Sequence, residues 1–82
     1  MQFPLVYMGK ITGNLSRLDI NPGYYAIDAA STISGAPEGT SYTGFIQLPV
    51  AAYRTQIILG FADNGIKVRQ YVGNPSAWLS WK

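Results

Sequence analysis

Two late stretches, residues 55–62 (TQIILGFA) and 66–72 (IKVRQYV), are rich in β-branched and aromatic residues, with Asp63-Asn64-Gly65 between them. Asn-Gly between two such runs is the strongest short-range hairpin signal, because a type I′ turn needs positive φ at both central residues. Pairing Asp63 with Ile66 then sets Phe61 opposite Val68, Leu59 opposite Gln70 and Ile57 opposite Val72. That face is mostly apolar and is expected to lie on the core. The other face, with Ile58 opposite Tyr71, Gly60 opposite Arg69 and Ala62 opposite Lys67, suits solvent or a subunit contact.

The earlier chain is more irregular. Residues 3–8 read as a short strand that Pro4 confines to an edge or a lead-in. Residues 14–18 predict one helical turn capped by Asn14. Asn21-Pro22-Gly23 is a turn, with Gly23 in the left-handed position, and residues 24–27 form a strand. In that strand Tyr24 and Tyr25 must point to opposite faces, so at most one is fully internal. Residues 28–43 make the longest loop, 44–50 a buried strand with Pro49 at its end or a bulge, and 51–54 a bridge to the hairpin. The expected fold is mainly β: a small antiparallel sheet with a C-terminal hairpin, a long loop and at most one short helical turn. With 82 residues it is a single domain over 1–82, of which 1–10 is a candidate lead-in or subunit-contact segment.

Composition narrows the function. Six basic residues against four acidic ones leave a net charge of +2, too scattered for the dense basic stripe that nucleic acid requires. The opening lacks the basic n-region of a signal peptide, and no apolar run approaches the ~20 residues of a membrane span. A soluble protein with no membrane insertion is expected. Low charge in so small and apolar a chain favours an oligomer.

There is no histidine and no cysteine, which removes the usual triads, disulfides and zinc sites. No phosphate-binding or dinucleotide motif occurs, and the carboxylates are isolated, so no cofactor and no metal are expected. Two carboxylates would suffice for a glycosidase, but each of Asp19, Asp28, Glu38 and Asp63 has a local turn or solvation role. A non-enzyme is expected, with no catalytic residue.

Aromatic side chains are plentiful: Tyr7, Tyr24, Tyr25, Tyr42, Tyr53, Tyr71, Trp78 and Trp81. In sheets such rings are more often packing than binding surface, and the arginines and Gln56 are more often solvated. Aromatic faces beside planar polar groups are also how proteins hold sugar rings. The candidate saccharide contacts are Tyr42 in the long loop and Trp78 in the tail, with Arg54 and Arg69 as polar partners. Trp81 is the alternative platform if Trp78 instead anchors the chain end.

The order of these features resembles the terminal knob domains of phage tail fibres, including those of R-type pyocin fibres. The resemblance rests on Leu15 and Leu18 before Pro22-Gly23-Tyr24-Tyr25, then Pro37-Glu38-Gly39 before Phe45, Ile46 and Leu48. Gln56 after Tyr53, then Arg69-Gln70-Tyr71 and the closing pair Trp78 and Trp81, complete it over about residues 11–82. Two features depart from the pattern: knobs sit at the end of long shafts whereas this chain opens at Met1, and Tyr42 and Phe45 stand where knobs often carry tryptophan. The resemblance implies a homotrimeric receptor-binding module of the virion, made in the bacterial cytoplasm. It would contact other tail-fibre or baseplate proteins and recognise bacterial cell-surface polysaccharide. The alternatives are an assembly protein of the same particle, with aromatics buried between subunits, and a small inhibitor of a host protein.

Overall fold

The computed structural model describes residues 5–50, 53–60, 65–73 and 76–82. The fold is mainly β. Eight strands form among the described residues: β1 (Tyr7–Lys10), β2 (Gly13–Asn14), β3 (Gly23–Ile27), β4 (Ile33–Ser34), β5 (Thr43–Val50), β6 (Tyr53–Ile58), β7 (Lys67–Val72) and β8 (Ala77–Trp78). Six make one sheet in the order β1-β3-β5-β6-β7-β8, and β2 pairs with β4 in a two-stranded ribbon. The sheet is mixed, because β1 runs parallel to β3; the ribbon is parallel as well. Close approach of β1 requires Gly23: at its φ of 153° a Cβ would sit 2.9 Å from the Val6 carbonyl oxygen. Helical structure among the described residues is one 3-10 turn at Ala30–Thr32, inside the long loop. The turn expected at 14–18 is not helical. There the Asn14 side chain accepts the Ser16 N–H at 2.9 Å, the local bond that lets Asn compete with helix.

One face of the sheet is covered and the other is not. Residues 11–20 and the long loop lie across the inner face, where Ile11, Leu15 and Ile20 meet Tyr25, Ile27, Phe45 and Ile58 in a single apolar core. Strand alternation places Tyr25 inward and Tyr24 on the half-buried outer face. The outer face carries Tyr24, Ile46, Leu48, Ile57 and Val68, each half-buried, and an exposed Leu59.

The expected hairpin register is wrong by four residues, and its core face is inverted. Ile57 pairs with Val68 rather than Val72, and the ladder ends at Ile58 opposite Lys67. Ile58, Gln56 and Arg69 face inward and are buried, whereas Ile57 and Val68 face outward. Asn64 and the pairing of Asp63 lie outside the described residues. Gly65 is exposed, and a Cβ there would meet nothing within 4 Å. A tight antiparallel connection lies elsewhere: Val50 pairs directly with Tyr53, so β5 and β6 are joined by two residues, and Tyr53 and Arg54 belong to a strand rather than a bridge.

Candidate functional site

Strand pairing sorts the inner face into rows. Tyr25, Phe45 and Ile58 stand side by side across β3, β5 and β6 as an apolar row. One step along, Gln47, Gln56 and Arg69 form a polar row across β5, β6 and β7. A further step places Pro49, Arg54, Tyr71 and Trp78 in register across β5 to β8.

The polar row is a closed network. Gln56 Nε2 donates to Gln47 Oε1 at 2.9 Å and to the Leu15 carbonyl at 2.6 Å. Its Oε1 accepts from Arg69 Nε at 2.7 Å, and an Arg69 terminal nitrogen donates to Ser16 Oγ at 3.1 Å. The Arg69 guanidinium lies over the Trp78 ring at 4.2 Å and the Trp81 ring at 4.6 Å. Both indoles are themselves tied down, Trp78 Nε1 to the Ser16 carbonyl at 2.8 Å and Trp81 Nε1 to the Gly35 carbonyl at 2.9 Å. Burial draws the Arg69 pKa down to about 10, so the guanidinium is charged at neutral pH. No carboxylate offsets it: the ion pairs among the described residues are Lys10–Asp28 and Arg17–Asp19. Two aromatic faces and two hydrogen bonds do that work instead.

Four of the five candidate contacts are thus brought together. Arg54 lies 5.8 Å over the Tyr71 ring, Tyr71 meets Trp78 edge-on at 5.3 Å, and Trp78 and Trp81 share Arg69. This is one continuous stack of cations and rings. Arg69, between the two indoles, is buried; Arg54, at the end of the stack, is half-buried and lines a groove at the surface. Both tryptophans anchor the tail, and each is half-buried. The tail continues along β7, with Val68 and Lys82 exchanging both backbone bonds at 2.9 and 3.1 Å.

Tyr42 stands apart, at the far end of β5. Its ring is 63% exposed, and its φ of 50° makes it the one non-glycine residue with positive φ among those described. Its N–H donates to the Asp28 carbonyl, next to the Lys10–Asp28 ion pair, which holds the Lys10 pKa above its usual value.

Where Arg54 surfaces, a groove of about 320 Å³ opens between the 18–22 segment and the β5–β6 end of the sheet. Asp19, Asn21, Pro22, Gln47, Tyr53 and Arg54 line it, with Gln47 buried and Tyr53 half exposed. Asp19 is held by Arg17 at 3.4 Å. The groove combines an aromatic ring, amides, a carboxylate acceptor and a guanidinium donor, at the lower end of the ~300–1,000 Å³ typical of ligand sites. Of these residues only Arg54 stood out in the sequence. Tyr53 and Asn21 were hidden because the groove is made by the 18–22 segment meeting the β5–β6 end of the sheet, two stretches far apart in the chain.

No protein-family model, curated protein or solved structure matches this chain.

Proposed function

We propose that this chain is a non-catalytic receptor-binding module of a phage tail fibre or baseplate that recognises bacterial surface saccharide. The observation that carries the reading is the groove at the β5–β6 end, which Tyr53 lines together with Asp19, Asn21 and Arg54. A sugar ring stacks its apolar face on an aromatic side chain and exchanges hydroxyl hydrogen bonds with planar polar groups, and the groove supplies both. The resemblance to fibre knobs points the same way. Contact with one shallow groove buries little area, so a single sugar binds at about millimolar strength, near 4 kcal/mol. Repetition over several copies raises the avidity by orders of magnitude.

The homotrimer belongs to the same proposal. Tyr24, Ile46, Leu48, Ile57 and Val68 give the sheet an apolar outer face that no described segment of the chain covers. A second and third copy would bury it under closed symmetry. This face, rather than the tryptophans, is also what an assembly role would use.

Tyr53→Ala is the test. Attachment to host cells is expected to fall at least tenfold while the unfolding midpoint stays near the parent's. Unchanged attachment by a folded variant overturns the groove as the receptor site. Sedimentation at micromolar concentration is expected to give about three chain masses, and a clean monomer overturns the trimer.

A further inference from the structure

We infer that Arg54 reads an oxyanion on the saccharide, a uronate carboxylate or a phosphate, so that the groove selects acidic over neutral sugars. The inference rests on the groove being the saccharide site proposed above.

Of the described cations, Lys10 and Arg17 are paired with Asp28 and Asp19, and Arg17 also donates to the Thr12 and Asn14 carbonyls. Arg69 is buried in its own network, and the exposed Lys67 and Lys82 do not line the groove. Arg54 differs from all five. It lines the groove, one face of its guanidinium rests on Tyr71, and it has neither a carboxylate nor a hydrogen-bond acceptor among the described residues. Stacking restrains the planar group and leaves its N–H edge for a ligand. That edge matches a carboxylate or phosphate in a two-point contact, and a charged acceptor makes each bond shorter and stronger than a hydroxyl would. Asp19, across the groove, does not cancel this field, because Arg17 already sits beside it at 3.4 Å. Its oxygens remain acceptors for sugar hydroxyls. The arrangement orients a ligand: acidic substituent toward β6, hydroxyls toward the 19–21 wall, ring on Tyr53.

Isotope-labelled full-length protein titrated with glucuronate, glucose 6-phosphate, glucose and inorganic phosphate, at constant ionic strength, tests this by NMR. At least one acidic sugar is expected to shift the Arg54 Nε–H and the Tyr53 and Asn21 amides with a Kd at least tenfold below that of glucose. Whichever acid binds more tightly identifies the oxyanion. Arg54→Gln is expected to abolish the preference, and Arg54→Lys to retain part of it, with both variants unfolding near the parent's midpoint. Acidic and neutral sugars binding alike would overturn the inference and leave the saccharide reading standing. Inorganic phosphate binding as tightly as glucose 6-phosphate, without shifting Tyr53, would overturn it as a bare anion site. No shift at Arg54 with any acid also overturns it. The saccharide reading is judged separately by cell attachment of Tyr53→Ala.

Discussion

Two rows of side chains lie one step apart on the inner face of the same sheet and are equally dry. Phe45 and Ile58 in the first are 0% and 2% exposed; Gln47 and Gln56 in the second are 1% and 0% exposed. The apolar row is stabilised by area removed from water and by close packing, which tolerate modest repacking. The polar row is held by matched partners, and each partner it loses leaves a buried group unsatisfied. Partners reach it from elsewhere in the chain: Leu15 and Ser16 from the covering segment, Trp78 from the edge strand β8 and Trp81 from the tail beyond it. The apolar row therefore makes the core, whereas the polar row ties cover and chain end to it in one geometry.

Truncation of the apolar row should have the largest effect. Phe45→Ala removes a fully buried ring in contact with Tyr25 and is expected to cost about 3–5 kcal/mol. Against the total stability expected of so small a domain, that leaves a largely unfolded protein by circular dichroism.

Arg69→Met retains much of the volume but strands Gln56 Oε1 and removes the cation from two indoles. A loss of about 2–4 kcal/mol in denaturant unfolding is expected, with a shift in tryptophan emission that Phe45→Leu does not produce. Combining Gln47→Leu, Gln56→Leu and Arg69→Met sharpens the contrast. Replacing a buried polar group together with its partners is far less costly than removing one member, so the triple variant should lose less than the sum of its singles. Strict additivity would show that the row is not a network.

Trp81→Phe keeps a ring against Arg69 and removes only the indole bond to the Gly35 carbonyl, for an expected cost of about 1 kcal/mol. Tyr42→Gly carries the smallest effect and the opposite sign. Relief of positive φ at an exposed ring should raise stability by up to about 1 kcal/mol. Undiminished cell attachment by that variant would leave the groove at the other end of β5 as the sole ring platform in play.

The amino-acid sequence by itself determined the class of fold and much of its local grammar. Period-two alternation and turn residues disclosed the strands at 24–27 and 44–50, the opposition of Tyr24 and Tyr25, and the largely irregular stretch between them, though not the strand β4 within it. They could not choose the face of β6. By alternation in the sequence Ile57, Leu59 and Phe61 share one side and Ile58, Gly60 and Ala62 the other, so counting apolar residues favoured the first side, of which Ile57 and Leu59 prove to face outward. A signal was nonetheless present, since Gln47 shares parity with Phe45 and Gln56 with Ile58. Reading it required a reason to bury glutamine and arginine, and that reason lies far away in the chain. Gln56 bonds Leu15 across 41 residues, Arg69 bonds Ser16 across 53, and Trp78 bonds Ser16 across 62. Burial of a polar group depends on partners that only the folded chain brings within 3 Å, so tertiary structure alone decided the register, the core face and the groove beside Arg54.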